Sequence, residues 1–478
     1  MKRIILQISL LLYAGIAFSQ SIPPDSLYFG QTPPGSIPQI FAPGIVSLPG
    51  RNEAVITFSP DGQSVFFYIE KYPQPGNPYV MFSEYVNDHW SIPDTIPFAI
   101  GRSTGEPFFA WNGNRLYLWA TNAINHHGTK DLSYSEKQGN GWSDPISMGD
   151  PPNSEAVQFH PCIVGDSSVY FSSSEGRICR CQYVGGLYEG RVVLPRPLNF
   201  IGSQTWGDPY VSAGETYMII KAIREEGFGE NDIYIAYRKP DMTWTNPKNL
   251  GSNINTPGDE TSGDITPDGL YMTYGSNDDL YWVSTAFIDS LKYTNYLPYV
   301  MYPVPDQTAI TGYFFSYTVP DSTFVDDDGN QTLSYSATLL NGDPLPSWLN
   351  FDTTTITFSG TPSAVEIIYL KVMATDTAGK TASDIFKLTV HLPDGTQEKI
   401  DEDLLIYPNP TNGLINISLP ENMPVPVKAT LFNVRGERME EVTINTGTSL
   451  DLAGKPKGIY MIRLILGKEV VNRRICLF

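Results

Sequence analysis

A segment of about fifty residues recurs five times between residues 36 and 290, and this repeat constrains the fold more than any other feature. One landmark is a proline that follows a tryptophan by three residues, as Pro93 follows Trp90. The landmark prolines lie 50, 52, 50 and 52 residues apart, and they are Pro43, Pro93, Pro145, Pro195 and Pro247. A fixed period of this length is typical of repeat architectures.

The second landmark of each copy is an apolar strand, a polar turn and an aromatic-rich strand. The clearest copies place Pro-Asp-Gly at positions 60–62 and 267–269, between stretches that alternate with a period of two. Pro-Asp-Gly favours a tight turn between antiparallel strands. Four strands in about fifty residues predict one blade of a β-propeller.

The number of strands predicts how such a ring would close. The fifth copy lacks an outer strand of its own after Ser284, whereas the segment around Pro43 is an outer strand with no blade before it. Pairing the two would complete five blades. We therefore expect a five-bladed β-propeller over residues 20–292, with the N-terminal strand in the last blade.

Composition indicates an all-β chain and excludes several classes of protein. Only 17% of the 478 residues are charged and 41% are hydrophobic, which argues against a coiled coil and against disorder. The formal net charge is −20. Because phosphate backbones are repelled by such a surface, we expect no nucleic-acid partner.

Residues 1–19 have the features of a secretory signal peptide. Lys2 and Arg3 precede an apolar run at 4–17, and small residues allow cleavage before Gln20. The alternative is an uncleaved anchor, although the run is short for a bilayer. No cysteine follows the run directly, which argues against a lipoprotein, and we expect no transmembrane segment in the mature chain.

Export permits disulfides, but the four cysteines do not suit one. Cys179 and Cys181 would share one face of a strand, about 10 Å from Cys162 two strands away. Because a disulfide needs Cα atoms within roughly 7 Å, we expect free thiols at these positions and at Cys476. His160 lies nearby, but the four-ligand spacing of a zinc site is absent.

The sequence pattern changes after residue 291, where alternation of apolar and polar residues predicts a β-sandwich at 300–393. Its strands are expected near 333–339, 355–358, 367–374 and 384–391. Asp326, Asp328 and Asp376 offer carboxylates of the kind that bind calcium. The alternative is that these aspartates form solvated turns, so calcium is the only cofactor considered and none is certain.

The last part of the chain is predicted to be a separate small domain. Residues 394–403 are polar and predict a linker, and residues 404–478 predict a C-terminal β-sandwich. Asn-Pro, Arg-Gly and Lys-Gly pairs separate its strands, and a short basic strand at 468–474 precedes the last residues.

Three resemblances to known families rest on these motifs. The Pro-Asp-Gly copies resemble the WD40-like propeller repeats related to the TolB propeller, and residues 27–44 are similar to a secreted or surface-exposed branch of those proteins. Residues 300–393, with Asp-Asp-Asp-Gly and Ser-Gly-Thr-Pro motifs, resemble a cadherin-like immunoglobulin domain of the dystroglycan type. Residues 404–478, with Tyr-Pro-Asn-Pro near their start, resemble the C-terminal sorting domain of the type IX secretion system of Bacteroidetes.

These resemblances imply a location more than an activity. The sorting domain implies passage across the outer membrane by the type IX secretion machinery, followed by removal of the domain. We therefore expect a secreted protein, either released or held at the outer-membrane surface. The propeller resemblance implies a binding platform and does not name a reaction.

An acidic residue precedes or opens the first strand of each copy. The steps between them are 53, 49, 53 and 52 residues, and the acids are Glu53, Glu106, Glu155, Asp208 and Glu260. In a propeller the first strands line the central channel, so five carboxylates would ring one opening. Three interpretations stay open: hydrogen bonds to the neighbouring blade's backbone, a cation or ligand site, and catalysis.

Loops between the second and third strands are expected on the same face as these acids. They offer aromatic and hydrogen-bonding side chains of the kind that bind sugars or peptides, namely Tyr72, His126, His127, Arg224 and Phe228. The alternative is that they are ordinary exposed hairpin tips.

The sequence carries few motifs of an enzyme. It has no Gly-x-Ser-x-Gly, no His-Glu-x-x-His and no phosphate-binding loop. We expect a secreted or cell-surface binding protein whose propeller recognises a glycan, a peptide or an envelope protein. The alternative is a polysaccharide-degrading hydrolase or lyase, because five-bladed propellers include glycosidases with carboxylates at the channel mouth, and residues 207–211 resemble the start of a blade in them.

Overall fold

The chain is all-β, with 51% of the described residues in strands and 4% in helices. The computed structural model describes residues 22–71, 78–126, 130–139, 141–199, 207–224, 226–393, 404–419, 425–433, 436–445, 448–466 and 469–477. The expected signal peptide, the expected linker at 394–403, Tyr72 and His127 lie outside these residues.

The chain divides into two compact units. The first runs to Pro303 and includes Asp321–Tyr335 and Met373–Ser383, and the second comprises Val304–Pro320, Ser336–Val372 and Asp384–Phe478.

The first unit contains five antiparallel sheets of four or five strands. The chain enters with β1 (Gln39–Ile40) and forms the first sheet from β2 (Asn52–Phe58), β3 (Ser64–Lys71), β4 (Tyr79–Val86), β5 (His89–Trp90) and β6 (Asp94–Thr95). The second sheet consists of β7 (Thr104–Phe109), β8 (Arg115–Ala120), β9 (Asp131–Gln138), β10 (Gly141–Trp142) and β11 (Ile146–Ser147). The third consists of β12 (Gln158–Ile163), β13 (Val169–Ser173), β14 (Arg177–Val184) and β15 (Leu187–Val193). The fourth consists of β16 (Gly207–Val211), β17 (Tyr217–Ala222), β18 (Asp232–Tyr237) and β19 (Lys248–Asn249), and the fifth contains β20 (Glu260–Ile265), β21 (Tyr271–Ser276) and β22 (Asp279–Ser284).

The fourth strand of the fifth sheet comes from the other end of the unit. Strand β1 pairs antiparallel with β22, so that Gln39 lies opposite Trp282 and Ile40 lies opposite Tyr281. In each of the other four sheets the first four strands follow one another in chain order, and in two of them a fifth strand, β6 or β11, pairs with the third. The first and last repeats are therefore joined by backbone hydrogen bonds.

The first strands of neighbouring sheets contact one another. Strand β2 contacts β7, β7 contacts β12, β12 contacts β16 and β16 contacts β20, while β20 also contacts β2. These strands are largely buried, and all five residues of β16 are inaccessible to solvent or nearly so. Apolar side chains on both faces of such strands have neighbours to pack against, which fits their nearly continuous burial.

A cluster of aromatic residues holds the N-terminal segment against the first and fifth sheets. Phe41 is fully buried, and its ring centroid lies 5.9 Å from that of Phe58 and 5.2 Å from that of Trp282. Tyr28 packs against the same two rings and donates a hydrogen bond from its hydroxyl to Asp268 at 2.6 Å. Edge-to-face packing of this kind adds to the burial of apolar area.

After helix α1 (Phe287–Lys292), the chain builds two small sheets and a strand pair. The pair is β23 (Tyr299–Val300) with β26 (Phe324–Val325). One sheet has the strand order β24 (Gln307–Ile310), β31 (Thr381–His391), β30 (Glu366–Thr375) and β27 (Ser334–Leu339). The other sheet has the order β25 (Phe315–Thr318), β29 (Thr357–Gly360) and β28 (Leu349–Asp352). Strands expected near 333–339, 367–374 and 384–391 coincide with β27, β30 and β31. Strand β29 begins two residues later than the sequence predicts.

The C-terminal part also folds into two sheets. One has the order β32 (Leu405–Tyr407), β33 (Leu414–Ser418) and β36 (Thr448–Asp451), and the other has the order β35 (Arg438–Ile444), β34 (Val427–Asn433), β37 (Gly458–Leu466) and β38 (Glu469–Leu477). Ile415, Leu452, Ile462 and Ile475 are fully buried in the shared core. The alternation of inward and outward residues along β34 produces this core.

All four cysteines are free in the structure. Cys162, Cys179 and Cys181 are buried, and Cys476 is partly exposed. Burial raises the pKa of the Cys162 thiol, which therefore stays protonated and unreactive.

Replacing Phe41 by alanine tests whether β1 secures the first unit. Phe41→Ala removes a fully buried ring between Phe58 and Trp282 and should lower the free energy of unfolding by about 3–5 kcal/mol. Urea unfolding of the mature chain, followed by tryptophan fluorescence, measures this change. The control is Ile92→Ala, whose side chain is 90% exposed and should change stability by less than about 0.5 kcal/mol. Equal effects of the two substitutions would contradict a stabilising role for the N-terminal segment.

Candidate functional site

A bulge in the first strand of each of the five sheets shapes the candidate site. In four sheets the register between the first and second strands shifts at the third residue before the end of the first strand, and in the first sheet it shifts one residue earlier, between Glu53 and Val55. The residues at the bulges are Ala54, Glu106, His160, Asp208 and Ser262. Bulges re-aim side chains, so these positions decide what the strands present at their centre.

Three of these five residues have a left-handed backbone conformation. The φ angles are +52° at Glu106, +50° at His160 and +34° at Asp208. Each of the three is followed directly by a proline. Because proline has no N–H to donate to a ladder, it is suited to a point where a bulge interrupts the pairing, although β20 bulges at the equivalent position without a proline. A positive φ at a non-glycine residue costs roughly 1–3 kcal/mol and is often found at functional sites.

The three residues converge on one place. One ligand atom of Glu106, one of His160 and one of Asp208 all lie within 4.8 Å of one another. The backbone N–H of His160 donates a hydrogen bond of 2.8 Å to the carboxylate of Glu106. We call Glu106, His160 and Asp208 the central cluster. Among the described residues it is the one group of three His, Cys, Asp or Glu side chains close enough to share a metal ion.

A lysine from a second strand completes the central cluster. Lys221, on β17, places its Nζ 2.5 Å from Oδ2 of Asp208, and both side chains are largely buried. The backbone N–H of Asp208 donates to the hydroxyl of Ser172 at 2.7 Å, which fixes the position of the bulge. The Asp208 carboxylate therefore has a counterion as well as a fixed backbone.

Burial and the neighbouring charges shift the pKa values in the cluster. Burial, together with the charge of Asp208, raises the pKa of Glu106 to about 8. Burial lowers the pKa of His160 to about 4, so the imidazole is neutral at neutral pH. Burial also disfavours the charged form of Lys221, but the Asp208 carboxylate outweighs it and holds the pKa of the lysine above its ordinary value.

This arrangement permits two kinds of chemistry. A protonated Glu106, a neutral His160 and the Asp208–Lys221 ion pair together offer both donors and acceptors to a polar ligand. The same carboxylates and imidazole are also suitable ligands for a divalent cation, although the Lys221 ammonium already neutralises one carboxylate. Glu106 at raised pKa is also the kind of group that can donate a proton in catalysis.

The five acids expected to form a ring occupy different positions in the structure. Glu106 and Asp208 lie in the central cluster, three residues before the end of their strands. Glu53 and Glu260 lie two residues earlier along their strands, at the same position as Thr104. Glu155 precedes β12 and is exposed. The structure thus brings two of the five acids together.

Glu53 and Glu260 are engaged by nearby protein groups. The Glu53 carboxylate accepts hydrogen bonds from the side chain of Arg51 and from the backbone N–H of Leu48, and burial raises its pKa to about 7. Glu260 accepts hydrogen bonds from the backbone N–H and hydroxyl of Thr256, at 2.9 and 2.6 Å. These contacts fasten the segments that enter β2 and β20.

The described loop residues are placed differently from one another. His126 is exposed and Phe228 is half-exposed. The guanidinium of Arg224 is buried and donates hydrogen bonds to the carbonyl oxygens of Pro197 and Pro247. Arg224 therefore ties loops of the protein together, while His126 and Phe228 are accessible to solvent.

The aspartates expected to bind calcium accept hydrogen bonds from the protein. Asp328 accepts one from the backbone of Tyr296 at 2.6 Å, and Asp376 accepts one from the side chain of Asn295 at 2.8 Å. One oxygen of the buried Asp326 accepts from the backbone of Asp328, and the other has no hydrogen-bond partner among the described residues. A calcium site at these residues stays a prediction.

Sequence reasoning did not assign His160 and Lys221 to the site. The signal for His160 was available, because Glu106, His160 and Asp208 are each followed by proline and each precede a turn at a constant distance. Lys221 lies on a second strand and has no comparable signal. Only the pairing of β16 with β17 brings its side chain to Asp208.

Two family models match parts of the chain. Residues 298–391 match the family described as "Putative Ig domain". Residues 405–477 match the family described as "Secretion system C-terminal sorting domain". An immunoglobulin-like domain and a type IX sorting domain are thereby confirmed, whereas the cadherin-like, dystroglycan type of the former stays a prediction. The sorting domain indicates a secreted or cell-surface protein that is exported by the type IX route. No curated protein matches the chain.

Solved structures give weak similarities. A "putative alpha-galactosidase" of Bacteroides fragilis is 17% identical over 20% of this chain, with a TM-score of 0.16, and the match spans 17% of that protein. A gluconolactonase of Xanthomonas campestris is 13% identical, covering 48% of this chain and 71% of that one, with a TM-score of 0.31. The extracellular domain of a "putative hybrid two component system" of B. thetaiotaomicron is 9% identical, covering 72% and 44%, with a TM-score of 0.30. At these scores none of the three carries an argument about fold or activity.

Hydropathy adds one observation about the membrane. Within the part of the chain that the structure describes, no helix has the length and apolar character needed to span a bilayer.

The raised pKa of Glu106 predicts how stability depends on pH. The carboxyl group titrates near 4.5 when unfolded and near 8 when folded, so its favourable contribution is complete below about pH 4.5 and is lost as the pH rises to about 8. Glu106→Gln should therefore reduce the fall in urea midpoint between about pH 5 and about pH 8. Glu53 and Asp264, with pKa values raised to about 7 and about 8 by burial, contribute to the fall that remains.

The matched control for this measurement is Glu189→Gln, on the outer strand β15, where the side chain is exposed. Its pH profile should coincide with that of the unsubstituted chain. A Glu106→Gln profile as steep as the control would contradict the raised pKa.

Proposed function

We propose that the first unit is a five-bladed β-propeller that acts as an extracellular ligand-binding head. Five sheets with contacts between successive first strands, including β20 with β2, support this architecture. The pairing of β1 with β22 supports closure by the N-terminal strand. On this proposal the propeller spans 20–292, the immunoglobulin-like domain 300–393 is a spacer, and the domain at 404–478 directs export.

The ligand of the propeller binds over the central cluster. The observation that carries this proposal is that three successive first strands each place a polar residue in a strained bulge, and that the three converge within 4.8 Å. Packing alone does not require buried polar groups in left-handed conformations. The energetic cost of these conformations is offset when the polar groups bind a ligand. Glu106, His160, Asp208 and Lys221 supply donors and acceptors suited to the hydroxyl groups of a glycan.

A glycan array tests the ligand class and the site together. The labelled mature chain should bind at least one glycan, and Glu106→Gln and Asp208→Asn should each weaken binding tenfold or more, equivalent to about 1.4 kcal/mol. The exposed Glu189→Gln control should bind as the unsubstituted chain does. Glycan binding that survives both cluster substitutions would place the site elsewhere.

A glycoside hydrolase is the second candidate, and one observation favours it. Glu106 has a raised pKa and lies beside a second carboxylate, with oxygens of the two within 4.8 Å. Retaining glycosidases hold their carboxyl groups about 5 Å apart, one as acid and one as nucleophile. The second carboxylate, Asp208, lies 2.5 Å from the Nζ of Lys221.

Reducing-end release from a panel of polysaccharides distinguishes the two candidates. The binding proposal predicts no release above a heat-inactivated sample. Release that is lost in Glu106→Gln, while glycan affinity persists, would contradict the binding proposal and assign Glu106 as the general acid.

Export depends on the C-terminal domain in this proposal. Deleting residues 404–478 should leave the protein inside the outer membrane, whereas the full chain should reach the cell surface or the medium. Immunoblots of fractionated cells measure this, and deletion of 300–393 is the control, because the spacer carries no export signal. Efficient export without 404–478 would contradict the assigned role.

A further inference from the structure

A cavity lies farther along the first strands than the central cluster does. It has a volume of about 70 Å³ and is lined by residues of several sheets. Room for one water takes roughly 10–15 Å³, so this cavity has room for several waters or one small chemical group. We call it the aromatic cavity because five of its ten lining residues are aromatic, namely Phe58, Phe108, Phe109, Trp111 and Tyr210.

The one charged residue that lines the aromatic cavity is Asp264. Its side chain is 5% exposed, and within the described part of the chain neither carboxylate oxygen has a hydrogen-bond partner. Asp264 lies one residue before the end of β20, the position that Cys162 and Tyr210 hold in β12 and β16. The carboxyl group of Asp264 lies close enough to the Cys162 thiol and the Tyr210 hydroxyl for its charge to act on both.

A carboxylate in such surroundings is costly. Removing a charged group from water without a partner costs several kcal/mol or more, and burial accordingly raises the pKa of Asp264 to about 8. A packed core would be more stable with an apolar residue at this position. A cation that enters the cavity would offset this desolvation cost.

The lining decides which cation the cavity suits. Calcium or magnesium needs about six oxygen ligands, whereas the aromatic cavity offers one carboxylate among apolar rings. Aromatic rings around a carboxylate suit an organic ammonium group, which gains both an ion pair and cation–π attraction. Trp111 is 39% exposed, and its position at the rim leaves the cavity accessible from solvent.

We propose that the aromatic cavity binds the protonated amino group of an organic amine, with the Asp264 carboxylate as its counterion. The size of the cavity suits a primary ammonium at the end of an alkyl chain, as in a lysine side chain or a polyamine. The lining of the aromatic cavity shares no residue with the central cluster. The cavity is therefore separate from the glycan site proposed over the central cluster, and either proposal can fail without the other.

Two probes separate the sources of such an amine. Nα-acetyl-lysinamide presents the lysine side chain of a peptide, and cadaverine presents a polyamine-like end. Nα-acetyl-norleucinamide has an alkyl side chain without the charge and is the matched neutral control. Binding is measured by NMR of the mature chain, through the indole N–H of Trp111, which donates to the carbonyl oxygen of Ile163 at 2.6 Å.

Saturable binding of at least one amine, with none of the neutral control, is the expected result. Asp264→Asn keeps the shape of the side chain and should weaken amine binding tenfold or more. Trp111→Leu, at a half-exposed position that tolerates substitution, should weaken it severalfold when followed by calorimetry instead of the indole signal. Asp241→Asn, at an exposed turn, should leave the affinity unchanged.

The pH dependence of amine binding gives a readout that a merely structural Asp264 would not produce. Binding of an ammonium group favours the ionised carboxylate, so amine affinity should rise about tenfold per pH unit toward pH 8 and then level off. The Cys162 thiol and the Tyr210 hydroxyl, which share this layer, have raised pKa values and stay uncharged over that range. Absence of saturable amine binding, or equal affinities in the unsubstituted chain and in Asp264→Asn, would overturn the proposal.

Discussion

Bulges within three first strands control the chemistry at the centre of the first unit. Strands β7, β12 and β16 each bulge at a residue that precedes a proline, where the missing N–H of the proline leaves no ladder hydrogen bond unmade. The bulges turn Glu106, His160 and Asp208 toward one point, at the expense of left-handed backbone conformations. The pKa shifts, the pairing of Asp208 with Lys221 and the proposed ligand site all follow from that convergence.

The strands that carry these bulges depend on contacts with their neighbours for their position. Each first strand lies against the first strands of two other sheets, and β20 contacts β2. The pairing of β1 with β22 joins the two ends of the repeat, and the buried ring of Phe41 packs at that junction. Stability of the junction and geometry of the central cluster are therefore linked, even though Phe41 lies outside the cluster.

The sequence predicted the repeat far better than it predicted the site. Proline landmarks and Pro-Asp-Gly turns are local signals, and the structure has five sheets where five copies were expected. The spacing of five acids at steps of about 52 residues was misleading, because the segments between the sheets differ in length. Glu53 and Glu260 consequently lie two residues earlier in their strands than Glu106 and Asp208. Counting back from the end of each strand, rather than from acid to acid, identifies the equivalent positions.

Other features of the site have no local signal in the sequence. Lys221 reaches Asp208 through strand pairing, and Asp264 is notable only because neither of its carboxylate oxygens has a hydrogen-bond partner in the part of the chain that the structure describes. Both depend on which side chains the packed sheets bring together. Motifs in the C-terminal half behave differently, since their turn residues are local and two family models match there.

A double-mutant cycle tests the central claim that Glu106 and Asp208 act on one ligand. Glycan affinity would be measured for the unsubstituted chain, Glu106→Gln, Asp208→Asn and the chain with both substitutions. Residues that contact the same bound group should be coupled by about 1 kcal/mol or more. Effects that add to within about 0.3–0.5 kcal/mol would show two independent residues and would contradict a shared site.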